Sequence, residues 1–172
     1  ISIIENFSIQ KELQIKDDYR TKNNKKTQEI FFPLNEKTTF RINQRFRELT
    51  RNKNKERKIA TTKGRDFVIE NFYSGVARFN FNDLCDKNLG AEDYLNISNL
   101  CKHIFIERIP RFNNENSNQQ LRFITLIDIF YEKKIRLTLS IQEKLDNLSS
   151  SKKHSELFKR TVSRMFEMTM SP

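Results

Sequence analysis

The chain has 172 residues, 36% of them hydrophobic and 31% charged, which is enough for one domain or for a piece of a larger one. No stretch approaches the ~18 apolar residues of a membrane-crossing helix, so a soluble, cytoplasmic chain is expected, with a core supplied largely by 15 Phe. The formal charge of +10 is of the kind nucleic-acid or anionic-membrane binders carry, but Lys, Asn and Ile are abundant throughout, which reads as a compositional bias and a solvated, lysine-rich surface.

In chain order, the apolar run Ile1, Ile3, Ile4 and Phe7 reads as the end of a helix, and a chain beginning inside such a run reads as a fragment whose upstream portion is missing. Ile9, Leu13 and Ile15 recur at even spacing, the mark of a half-buried strand, which Asp17 and Asp18 end before a basic, polar loop over 21–26. Phe31 and Phe32 precede Pro33, and Asn35 is the expected N-cap of a helix carrying Phe40, Phe46 and Leu49 at near-helical intervals. Residues 51–58, dense in Lys and Arg with Glu56 as the single acid, read as a solvated turn. Segments 59–62 and 66–72 flank Lys63-Gly64, which reads as a hairpin turn between two strands.

The stretch 74–93 carries the most informative local pattern. Ala77, Phe79 and Phe81 alternate with Val76, Arg78 and Asn80, as in a strand with one apolar face. Asn82 and Asp83 then read as helix-starting residues for a turn holding Leu84 and Cys85, and Gly90 precedes a second helix with Glu92 and Asp93 in its first turn. Tyr94, Leu95, Ile97, Leu100 and Cys101 continue that helix. Cys85 and Cys101 lack C-x-x-C spacing and neighbouring histidines at ligand intervals, which argues against a disulfide framework or a zinc site, so both read as buried thiols.

Residues 103–107 (H-I-F-I-E) read as a buried strand ended by Pro110, with His103 as a hydrogen-bonded structural histidine. A polar loop over 113–118 leads to a helix over 118–134 that is apolar on nearly all sides, with Arg122 and Asp128 as its polar exceptions. Ile135, Leu137 and Leu139 alternate as a strand, so strand follows helix in the α/β manner. After a serine-rich loop, a C-terminal helix presents the stripe Phe158, Val162, Met165 and Met168, with Arg160 and Arg164 together on another face.

Three blocks, G-V-A-R-F-N-F-N-D-L-C with L-G-A-E-D-Y-L, L-R-F-I-T-L-I-D-I-F-Y, and F-K-R-T-V-S-R-M-F-E-M, together with Asp17-Asp18-Tyr19-Arg20, resemble the C-terminal half of the ZapE cell-division ATPases, bacterial relatives of the mitochondrial "ATPase family gene one" proteins. The resemblance covers essentially the whole chain. It implies the C-terminal part of a P-loop, AAA+ type α/β ATPase, with residues 1–73 ending the ATPase core and 74–172 forming a family-specific α/β region. ATP and Mg²⁺ are then expected to be held by motifs upstream of Ile1. No G-x-x-x-x-G-K-[ST] is present, Gly64, Gly75 and Gly90 cannot build one, and no second acidic motif on a hydrophobic strand is found, so these residues alone are expected to be inactive. The sequence departs from the family at Asn80, where an acid is usual, at Leu121, where an Arg often precedes Arg122, and after Ser140, where a proline is missing.

The resemblance makes Arg160 and Arg164 the candidate sensor arginines, since an arginine facing a transferring phosphoryl group can supply roughly 10³- to 10⁵-fold in rate. The competing reading pairs them with Glu156 and Glu167. Arg78 and Arg122, each followed by Phe, are weaker candidates for nucleotide contact and otherwise buried ion-pair members, Arg122 with Asp128 for example. No metal ligand is assigned. The implied function is ATP hydrolysis coupled to remodelling of a protein partner, in bacteria the FtsZ division ring, with homo-oligomerisation left open. The rival is a basic nucleic-acid-binding module without catalysis, ranked lower because most Phe and Tyr sit at core periodicity.

Overall fold

The structure, a computed structural model, describes residues 27–171. The expected helix end at Ile1–Phe7, the strand over 9–15, the Asp17-Asp18-Tyr19-Arg20 element and the basic loop over 21–26 lie outside the described residues.

An α/β architecture is present, built on one six-stranded sheet in the order β1-β6-β5-β4-β3-β2. The strands β1 (Ile30–Phe31), β6 (Arg136–Ile141), β5 (His103–Ile109) and β4 (Val76–Asn80) run parallel. A meander continues the sheet: β3 (Arg65–Tyr73) lies antiparallel to β4, and β2 (Lys55–Thr62) antiparallel to β3. The β2–β3 turn falls at Lys63-Gly64 as expected, both residues at positive φ (49° and 77°), the geometry that matches strand twist in a two-residue hairpin. The boundary read at 73/74 falls in the β3–β4 turn, and strands on both sides of it share the sheet.

Strand alternation sorts the core into two layers. Val76 and Phe105 face α1 (Glu36–Thr50) and pack on its Ile42 and Phe46. Their neighbours Ala77, Ile104 and Ile106 face the other way, into the larger cluster with α2 (Phe81–Cys85), α3 (Ala91–Leu100), α4 (Ser117–Glu132) and α5 (Ser155–Met168). Both faces of the parallel strands are therefore covered. This is why β6 is buried almost continuously rather than on alternate residues as its sequence pattern suggested.

Several local expectations are corrected. Asn35 does cap α1, accepting from the Thr38 N–H at 2.9 Å, but Phe40 does not join Phe46 in the core and is 68% exposed. The inward residues are Thr38, Ile42 and Phe46, spaced four apart. Basic residues 51–58 are only partly a turn, since β2 begins at Lys55. Helix α2 starts earlier than read: Asn80 is its N-cap, and Asp83, three residues on, reaches back to the Asn80 N–H at 3.4 Å. Gly90 precedes α3 as expected, with Asp93 accepting from its N–H at 2.8 Å.

Candidate functional site

In an open α/β sheet, ligands bind outside the carboxyl ends of the parallel strands. Here those ends carry Phe31 (β1), Asn80 (β4), Glu107 and Arg108 (β5) and Ser140 (β6). A register shift between Ile106 and Ile109 marks a bulge in β5 against β6, with Arg108 at φ 59° and its N–H bonded to Ser140 Oγ at 2.9 Å. Glu107, the acid in the H-I-F-I-E segment read as a strand, lies two residues before the end of β5.

Glu107 is not free. Arg78, reaching across from β4, donates through Nε to Oε1 and through Nη2 to Oε2 at 3.0 Å, and the same Nη2 meets Asn43 Oδ1 at 2.5 Å. Its guanidinium also lies 5.1 Å from the Phe46 ring centroid. Arg78 thus ties β4, β5 and α1 together, the ion-pair role weighed for it in the sequence.

Arg122 differs from expectation. It donates to the Cys85 carbonyl at 3.1 Å, holding the end of α2 against α4, and is not paired with Asp128. Asp128 instead joins the two sensor candidates: Arg164 Nη1 meets Oδ1 at 2.5 Å and Arg160 Nη2 meets Oδ2 at 2.9 Å. Glu156 pairs with Lys159 and Glu167 accepts from Tyr131, so neither serves the arginines as the competing reading supposed. Arg164 also stacks on Tyr131 at 4.7 Å and keeps 20% exposure, whereas Arg160 keeps 54%. Helix spacing placed the two arginines on one face; the shared acid, 32 and 36 residues away, was not readable.

A buried polar network pins β1. Glu29 accepts from Arg45 of α1 at 2.5 Å and from the Thr138 hydroxyl, which itself accepts from His103 Nε2 at 2.8 Å. Burial opposes the Glu29 charge, but the bonds from Arg45 and Thr138 outweigh it and hold the carboxyl below its ordinary range. Burial pushes His103 down to about 4, so it is a neutral structural histidine, as read. Cys85 and Cys101 are buried and free, and burial raises both thiols, Cys101 to about 12.

These residues do not fit a magnesium-bound triphosphate. The loop from β1 to α1 contains no glycine to let backbone N–H groups close around phosphates, and the strand-end carboxylate is bound by Arg78. Among the described residues no group of three or more His, Cys, Asp or Glu is placed to hold a metal ion, and no helix is long and apolar enough to cross a membrane.

Comparison with known proteins places these observations in a family. Lactation elevated protein 1 homolog B of Danio rerio is 29% identical over 134 residues, 76% of this chain and 27% of the relative. Cell division protein ZapE of Escherichia coli strain K12 is 22% identical over 151 residues, 88% of this chain and 40% of ZapE. An uncharacterised Schizosaccharomyces pombe protein is 32% identical over 77 residues, 45% of this chain and 17% of the relative. The chain therefore spans well under half the length of these curated relatives. No solved structure matches it significantly. The profile of the AFG1-like ATPases matches residues 2–171, and the chain belongs to this family of P-loop ATPases.

Proposed function

We propose that the chain is the C-terminal part of a ZapE-like ATPase that hydrolyses ATP to remodel a protein partner in the cytoplasm, the division ring built by FtsZ being the leading candidate. The observation that carries this reading is the family match over residues 2–171, supported by the similarity to ZapE across 88% of the chain. In this reading the phosphate loop and the Mg²⁺-binding acid belong to a part of the protein outside these 172 residues. The described α/β region then acts as a rigid accessory to that core. Arg160 is its accessible sensor candidate and Arg164 is anchored more deeply by Asp128.

The test is phosphate release from ATP by the full-length protein and by the 172-residue chain. Hydrolysis by the former, stimulated by polymerised FtsZ, and none by the latter is the expected result. Hydrolysis by the short chain alone, or a full-length protein that neither binds nor cleaves ATP, overturns it.

The nucleic-acid reading draws on Arg51, Lys53, Lys55 and Arg57, which form no ion pair among the described residues. The aromatics of the adjoining strand count against it: Phe72 is buried and Phe67 and Tyr73 are half-buried, leaving no stacking platform there.

A further inference from the structure

Outside the carboxyl ends of β5 and β6 lies a crevice of about 390 Å³, in the size range of small-ligand pockets, that the ATPase reading does not use. Its position follows from the topology. From β1 the chain leaves into α1 on one face of the sheet, and from its neighbour β6 it leads to α5 on the other. Adjacent strands whose connections part to opposite faces open a cleft between them, the switch point at which open α/β sheets bind ligands. Asn35, Thr38 and Thr39 form one wall, and Glu107, Arg108 and Ser140 the other.

We propose that this crevice binds one phosphate group of a small phosphate ester, through Arg108, the Ser140 hydroxyl and the start of α1. The β5 bulge turns Arg108 out of the strand, and its exposed guanidinium forms no ion pair among the described residues. The bond from the Arg108 N–H to Ser140 Oγ fixes both residues and leaves the serine O–H free to donate. Glu107, the carboxylate that would repel an anion, is already neutralised by Arg78. Across the crevice the Thr38 and Thr39 N–H groups are spent on Asn35, which leaves the Glu36 N–H as a backbone donor on that wall, with the Lys37 N–H next to it in the same turn. The loop between β1 and α1 has no glycine to wrap a chain of phosphates, which restricts the site to a single group. Glu36, also on the wall, weakens binding at this rim.

The test is titration of the 172-residue chain with inorganic phosphate, read by amide chemical shifts against a sodium chloride titration at matched ionic strength. Saturable shifts at the Glu36, Lys37 and Arg108 amides are expected. Arg108→Gln weakens them roughly tenfold, the loss of one charge-assisted bond. Glu36→Gln tightens binding, and Lys55→Gln on the distant sheet edge changes nothing. Shifts of the same size at Lys53 and Lys55 as at Lys37, or an affinity unmoved by Arg108→Gln in a protein with an unchanged amide spectrum elsewhere, overturn the proposal. Since no ATP is involved, a failure here is separable from a failure of the ATPase reading.

Discussion

Arg78 and Glu107 sit on neighbouring parallel strands and are joined by two parallel hydrogen bonds, with 21% and 12% of their side chains exposed. A pair this shielded contributes little net stability when both members are present, but truncating one leaves the other charge poorly solvated. Arg78→Ala and Glu107→Gln should each cost about 2 to 3 kcal/mol in urea unfolding. The double substitution Arg78→Ala with Glu107→Gln should cost clearly less than their sum. Additive losses would mean that the two side chains do not depend on each other.

Asp128 holds two arginines of unequal burial, and they should respond differently. Arg160, half exposed, should be replaceable by Ala within about 0.5 kcal/mol of wild-type stability, as surface ion pairs usually are. Arg164→Ala should cost about 1 to 2 kcal/mol, because it also loses the Tyr131 ring and leaves Asp128 partly buried. In the full-length ATPase the proposed sensor role makes Arg160→Ala lower kcat roughly 10³-fold without unfolding the protein. A wild-type kcat in both folded variants assigns these arginines to packing alone.

His103 and Glu29 give stability a defined acid dependence. Burial holds the folded His103 down to about 4, below its ordinary value of 6.5, so the unfolded chain binds the extra proton first. The His103 contribution is complete above pH 6.5 and is lost as pH falls toward 4. Glu29, also depressed, adds a loss that begins below its ordinary value of 4.5. Arg45, Arg136 and Lys53 face this cluster and oppose protonation of His103 further. Unfolding free energy should therefore drop by about 2 kcal/mol between pH 6.5 and 4. His103→Gln should flatten that window while leaving the Glu29 limb below it. An unchanged slope in the variant would place the acid sensitivity elsewhere.

Much of this fold was legible from local pattern. Alternation in V-A-R-F-N marked β4 and the apolar run H-I-F-I-E marked β5, the Lys63-Gly64 pair marked the hairpin, and Asn35 and Gly90 marked helix starts. Each depends on interactions within a few residues, which sequence spacing encodes directly. Phe40 failed as a core residue because near-helical spacing alone does not say which side of α1 meets the sheet, and the sheet takes Ile42 and Phe46.

The sequence by itself determined the α/β class, most element positions and, through its three blocks, the AFG1-like family. The tertiary structure alone decided which polar groups meet: Arg78 with Glu107 from 29 residues away, Arg164 with Asp128 from 36, and the Thr138 hydroxyl with Glu29 from 109. It also decided that Glu107 and Arg108 of β5 lie beside Ser140 of β6 at one edge of the sheet. The physical reason is that hydrophobic periodicity sets which face of each element is buried, while the partner of a polar side chain depends on strand order and register. Those are set by how whole elements pack, and two acids equally spaced from an arginine in sequence look the same until the sheet has closed.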